Sequence, residues 1–287
     1  MESIKNKMVL TGISFGASIC GIENLLEITE RQFDIIEIPL GESVYFDNVV
    51  GFAKERGMDI SLHIPSMEMV ECFPFILDTQ TNEQINQYVE YVSYFLDEHI
   101  KKMDLKPVYI VMHFPLISKR KDVIGRRELN KYFLNKMSSS IKRYDIPLLI
   151  ENVAVDNAFF QGKDYKSVLS KVDGICFDIG HSYTAGYILG VSVDIDLVDD
   201  MFTELSDYIQ CIHLYNTVQV PSNGYSPRLH YPFGIAANGR SRFMNEELIM
   251  ERMEKLPNLK YIIYEPHRKQ VLEYGDFGSL RHMVLEE

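Results

Sequence analysis

Short apolar runs alternate eight times with longer amphipathic stretches, and this alternation constrains the fold more than any other feature of the chain. The runs cover residues 8–14, 34–38, 59–63, 108–113, 148–151, 174–178, 209–213 and 261–265. Helical patterning fills the intervals over 22–31, 46–56, 82–103, 125–144, 165–171, 194–205, 245–254 and 277–283. The hydrophobic period thus switches from about two to about 3.6 and back. In the third helix Ile85, Tyr88, Val89, Val92, Phe95 and Leu96 recur at three- and four-residue steps, which lines one face. The strands are nearly continuous in apolar residues, as in Val108-Tyr109-Ile110-Val111-Met112, a pattern that requires burial on both faces. Eight β-then-α units predict an α/β fold closed into a (β/α)8 TIM barrel. A doubly wound open sheet is the alternative. It calls for a Gly-rich phosphate turn after the first strand, which Gly12-Ile13-Ser14-Phe15-Gly16 matches poorly. No linker, charge block or Pro/Ser-rich break divides the chain, so residues 1–287 read as a single domain. Segment 214–244, after the seventh strand, reads as irregular, and segments of that length in compact domains are usually functional.

Composition narrows the function classes. An apolar share of 46% excludes a disordered chain, and the longest apolar runs are far too short to span a bilayer. The net charge of −12 argues against broad binding to nucleic acid or to an anionic membrane surface. Cys20, Cys72, Cys176 and Cys211 form no CxxC pair, and no secretory signal is visible, so the expectation is reduced thiols in the cytoplasm. Cys176 and Cys211 fall in apolar runs and read as buried, inert thiols.

The informative positions are the strand ends. The third to eighth strands finish on His63, His113, Glu151, Asp178, His213 and Glu265, and His181 follows closely after Asp178. The intervals are 50, 38, 27, 35 and 52 residues, so no short ligand motif generates the pattern. Only a barrel brings such residues to one face, where active sites of this architecture sit. Glu151, Asp178 and Glu265 at a shared mouth would repel one another, and a divalent cation resolves the conflict. Mixed imidazole and carboxylate donors suit Zn, Mn, Fe or Co better than an all-oxygen Mg site. No organic cofactor is expected. His99, mid-helix, and His282, near the C-terminus, read as structural or solvated.

The stretch Gly174-Ile-Cys-Phe-Asp178-Ile-Gly-His181-Ser-Tyr-Thr-Ala-Gly186-Tyr187, together with Ile150-Glu151-Asn152, Ile212-His213-Leu214 and His230-Tyr-Pro-Phe-Gly234, resembles the xylose isomerase-like TIM-barrel superfamily. The resemblance covers about residues 10–267. Its isomerase and epimerase members imply Glu151, Asp178, His213 and Glu265 as ligands of one metal. They also imply Glu151 and Glu265 as the acid–base pair of an enediolate mechanism, with His181 on a substrate oxygen. Its endonuclease IV members imply a multi-metal set: His63, His113 and Glu151 for one zinc, Glu151, Asp178, His213 and Glu265 for a second, and His181 and His230 for a third. Arg228 stands where that last site has an Asp, and a guanidinium does not ligate a metal. The Arg expected a few residues past the seventh-strand His of the epimerases is also absent, and Arg228 could supply it from the long loop.

Four functional expectations follow, in order. The first expectation is a metal-dependent isomerase or epimerase of a small sugar, sugar phosphate or polyol, with His63, His113, Arg228 and His230 contacting substrate. The second is a zinc phosphodiesterase of the endonuclease IV type, with the same histidines as ligands. The third is a multinuclear iron oxidative enzyme, and a non-catalytic barrel stands last. Lys119, Arg120, Lys121, Arg126 and Arg127 crowd the fourth loop, where they form either a solvated surface or a phosphate site. The expected partner is a carbohydrate-like small molecule, with a homodimer as the possible assembly.

Overall fold

The computed structural model describes residues 9–14, 33–40, 46–64, 81–102, 104, 106–114, 123–152, 162–182, 196–214, 216–220, 226–231 and 246–265. Strands β1 (Leu10–Ser14), β2 (Ile35–Pro39), β3 (Asp59–Ile64), β4 (Ile110–His113), β5 (Leu148–Glu151), β6 (Gly174–Asp178), β7 (Ile209–Leu214) and β10 (Tyr261–Tyr264) form a closed barrel. Every neighbouring pair in it is parallel, and each strand pairs with its predecessor in the order predicted. The fold is therefore the (β/α)8 barrel, and no open edge remains to bind a nucleotide in doubly wound fashion.

The described helices follow their sequence signals. Helix Phe46–Arg56 buries Phe46, Val50 and Ala53 along one stripe. Asp47 in its first turn and Lys54 and Arg56 in its last complement the helix dipole, and Gly57 at φ +67° ends it. Helix Asn82–Leu96 starts on Thr81, whose hydroxyl accepts from the Gln84 N–H at 3.2 Å, and buries Ile85, Tyr88, Val92, Phe95 and Leu96. His99 lies in the π-helical turn Asp97–Lys102, with its ring 3.9 Å from that of Phe46. It is a packing residue. The helix read at 165–171 is two pieces, an α-helical Gly162–Lys166 and a 3-10 turn Leu169–Lys171. The helices read at 22–31 and 277–283, and His282, lie outside the described residues.

One sequence expectation is corrected. Segment 214–244 is not wholly irregular, because β8 (Asn216–Val220) and β9 (Ser226–Tyr231) form an antiparallel hairpin. The alternation Thr217-Val218-Gln219-Val220 followed by Asn223-Gly224 is a hairpin signal in its own right. It is brief and polar beside the barrel strands, which is why it does not stand out.

The pleat of the barrel strands separates two cores. Outward-facing residues such as Ile150, Ile175, Phe177 and Ile212 join the large cluster beneath the helices. Inward-facing Ile35, Tyr109, Val111, Leu149, Cys176, Cys211 and Ile263 make a separate plug inside the barrel. Gly12 on β1 leaves room for this plug: a Cβ there would lie 2.5 Å from the Ile263 side chain. Cys176 and Cys211 are free and buried, as expected; Cys20 and Cys72 lie outside the described residues.

Candidate metal centre

The site is the next inward-facing layer above the plug. Residues two apart on a strand share a face. Leu149 is therefore followed by Glu151, Cys176 by Asp178, Cys211 by His213, Val111 by His113, Ile263 by Glu265 and Ile35 by Glu37. Each of these strands carries an apolar residue below and an ionisable one above. Register keeps the upper residues level: His113 pairs with Glu151, and Asp178 with His213.

Glu151 is the hub. Its carboxylate lies 3.0 Å from His63 Nε2, 2.9 Å from His113 Nε2, and 3.3 Å from both His181 Nδ1 and His213 Nδ1. His213 Nδ1 is also 3.5 Å from Glu265 Oε1, and His181 Nδ1 is 3.3 Å from Asp178 Oδ2. Two sets of donors, His63–His113–Glu151 and Glu151–Asp178–His213, each have ligating atoms within 4.8 Å of one another. Glu151 belongs to both. The structure thus brings together His63, His113, Glu151, Asp178, His181, His213 and Glu265. Arg228 and His230 fall on β9, where Arg228 pairs with Val218 of β8.

Asn152 fixes the rim. Its side-chain NH2 donates to the Asp178 carbonyl at 2.7 Å and to Ser182 Oγ at 3.0 Å, while its Oδ1 accepts from the Asp178 N–H at 2.7 Å. The His181 N–H donates to Asp178 Oδ1 at 2.6 Å, and the His181 ring meets the Asn152 carbonyl at 2.9 Å. The turn after β6 is therefore fastened to the tip of β5.

Electrostatics mark the layer as a charge trap. Burial pushes the Asp178 carboxyl up, against the pull of His181 and with the help of Glu151 and Glu265, to about 7. Burial opposes protonation of His181, but Asp178 and Glu151 outweigh it and raise the ring to about 9. For Glu151 burial acts upward, yet His113, His213 and His181 hold it well below the usual carboxylate range. His113 goes down because burial dominates. Glu151 Oε1, Asp178 Oδ2, His113 Nε2 and His213 Nδ1 are buried with no well-formed hydrogen bond among the described residues. Buried polar atoms are nearly always satisfied. A divalent cation would satisfy Glu151, Asp178 and His213 together, whose donor atoms lie within 4.8 Å of one another, so that set fits a metal.

Sequence reasoning overlooked Glu37. It is fully buried on β2, its Oε1 lies 3.1 Å from His213 Nε2, and its Oε2 accepts from the Tyr109 hydroxyl at 2.8 Å. Attention to strand ends hides it, because two more strand residues follow it. The signal that finds it is the single charge inside the strand Ile35-Ile-Glu-Ile-Pro39, one pleat above Ile35. The loop-four bases resolve in part. Arg127 is tied to the largely buried Asp164 at 2.6 Å, and Arg126 is itself buried. Lys119, Arg120 and Lys121 lie outside the described residues.

Comparison with known proteins gives the fold. No protein-family model matches the chain. No curated protein matches it either. Among solved structures it is similar to a D-tagatose 3-epimerase-like protein, with 19% identity, TM-score 0.62 and coverage of 97% of this chain and 99% of the other. It is similar to a D-psicose 3-epimerase at 13% identity and TM-score 0.63, covering 97% and 100%. An AP endonuclease, family 2, from Brucella melitensis aligns at 11% identity and TM-score 0.57, covering 94% and 99%. These likenesses show a shared (β/α)8 barrel fold, which agrees with the barrel expected from the sequence. At these identities the likeness is one of fold.

Proposed function

We propose that the protein is a divalent-metal-dependent isomerase or epimerase of a small sugar, sugar phosphate or related polyol. The observation that carries the reading is the convergence of Glu151 and Glu265 on one atom, His213 Nδ1, at 3.3 and 3.5 Å. Two carboxylates flanking a common point suit removal of a proton beside a carbonyl and its return. Glu151, Asp178, His213 and Glu265 would hold Zn, Mn, Fe or Co. When bound, such an ion supplies Lewis-acid polarisation of a substrate carbonyl. Glu151 and Glu265 would exchange the proton, and His181 would hold a substrate oxygen. His63 and His113, at the rim, would contact the substrate. Arg228 and His230 would act from the hairpin. The epimerases among the structural neighbours and the acidic charge of the chain support a small polar substrate over a nucleic acid.

The test is solvent proton exchange. Wild-type protein incubated with ketose and aldose substrates in D2O is expected to place deuterium at the carbon beside the carbonyl. Glu151→Gln and Glu265→Gln are expected to abolish this. Full exchange in both variants refutes the acid–base roles.

A specific observation favours a second reading, a zinc phosphodiesterase of the AP endonuclease kind. His63 and His113 both touch Glu151 and complete a second donor set. Metal stoichiometry separates the two: one tightly held ion per chain supports the isomerase, and two or three support the phosphodiesterase. Cleavage of DNA bearing an abasic site decides between them directly.

A further inference from the structure

We infer that Glu37 is a positioning residue that grips His213 by Nε2 and so commits Nδ1 to the metal; the inference rests on the metal-site reading above. β2 and β7 are not neighbours, since β1 and β10 lie between them in the barrel. The 3.1 Å contact between Glu37 Oε1 and His213 Nε2 therefore spans the interior. Both side chains are wholly shielded from solvent. A carboxylate without compensation is costly there. Among the described residues Glu37 has a contact at each oxygen: the Tyr109 hydroxyl donates to Oε2 at 2.8 Å, and Oε1 lies 3.1 Å from His213 Nε2. Tyr109 is buried too; its hydroxyl also accepts from the Cys211 thiol at 3.6 Å, and its ring packs against Tyr261 at 4.7 Å.

The consequence for His213 is a choice of tautomer. A neutral imidazole carries one proton, and the partner of one nitrogen decides which nitrogen keeps a lone pair. Glu37 can only accept, so it draws the proton to Nε2. The lone pair is left on Nδ1, which looks at Glu151 Oε1 and Glu265 Oε1. A lone pair facing two carboxylates is repulsive, and either a second ring proton or a cation between them relieves it; a metal ion takes the place of that proton. The line Tyr109–Glu37–His213 is thus an outer support of the kind that orients a metal-bound histidine and raises its basicity. The competing geometry makes Glu37 a ligand itself, because Glu37, His63, His213 and Glu265 also have donor atoms within 4.8 Å of one another. Against it, Oε2 is already engaged by Tyr109, and the Glu151–Asp178–His213 set addresses the opposite nitrogen of the ring.

The experiment uses the full chain with Zn2+ as the probe. Zinc affinity is measured by competition with a chromophoric chelator. Glu37→Gln is expected to weaken binding by about 10- to 100-fold, and Tyr109→Phe to weaken it less, in the same direction. Long-range 1H–15N correlation on histidine-labelled, zinc-loaded protein is expected to show His213 protonated on Nε2 and metallated on Nδ1. Tyr109→Phe removes one hydroxyl and keeps the ring, so it carries the affinity test if Glu37→Gln does not fold. Metal on Nε2, or wild-type affinity in every folded variant, overturns the inference. Asp178→Asn separates the levels. If it loses zinc while Glu37→Gln keeps it, the positioning role alone falls. If Asp178→Asn binds as wild type does, or wild type binds no zinc, the metal-site reading falls and takes this inference with it.

Discussion

The two faces of the same barrel strands differ in what they tolerate. On β6 the outward residues Ile175 and Phe177 sit in the large apolar cluster, while the inward residues Cys176 and Asp178 sit in the plug and the charged layer. The outer face is held by volume: Phe177 meets Phe202 edge-to-face at 4.9 Å. The inner face is packed below by the apolar plug and held above by imidazole–carboxylate contacts such as those of Glu151 with His63 and His113. A parallel strand that is apolar on both sides can therefore give stability to one face and chemistry to the other, provided the charge enters one pleat above the plug.

Four substitutions or conditions break or sharpen that contrast. The largest effect is expected at the hub. Glu151→Gln should cost more metal affinity than the roughly 10- to 100-fold typical of outer-shell partners, as read by chelator competition, with the fold retained by circular dichroism. Retained affinity would remove Glu151 from the centre. Next comes the outer face. Phe177→Ala is expected to destabilise by about 3–5 kcal/mol in urea unfolding while the folded fraction binds metal with unchanged affinity. A large change in affinity would show that the two faces are not separable.

The third effect is pH-dependent and concerns chelator-stripped protein. His181 is raised to about 9 in the fold from 6.5. The native state therefore keeps a proton that the unfolded chain releases between those values, and its contribution is lost as pH rises through about 9. Asp178, raised from 3.8 to about 7, works in the same sense at lower pH. The midpoint of thermal unfolding should fall as pH rises from 6.5 to 9, and saturating zinc should flatten the profile. A rising midpoint without metal would contradict the charge-trap account. The smallest effect is expected at Arg127. Its pair with Asp164 lies outside the barrel interior, so Arg127→Ala should cost under about 1 kcal/mol and leave metal affinity and phosphate-substrate affinity unchanged. A selective loss with phosphorylated substrates would restore a role for the fourth loop in recognition.

Much of this is legible in the sequence itself. The barrel follows from eight repeated units because strand and helix periods differ so clearly. The helix at Phe46–Arg56 and the strands at Leu148–Glu151 and Gly174–Asp178 fall at the expected residues. The strand-end residues were visible because an ionisable group closing an apolar run is conspicuous. Glu37 was not, since it lies within its run and gains meaning only when the barrel closes and His213 arrives from a strand three places away. The contacts of Asn152 were likewise hidden, because they depend on the turn after β6 folding back onto β5. Pleat parity, counted from the plug residues, would have recovered the first but not the second.

The Asn152 fastening has a practical consequence. Three hydrogen bonds weld the end of β5 to the Asp178 turn, so Glu151 and Asp178 travel as a single rigid jaw. Substitutions on the rim that spare Asn152, Asp178 and Ser182 leave that jaw intact. Redesign of what enters the barrel is thereby uncoupled from the spacing of what waits inside it.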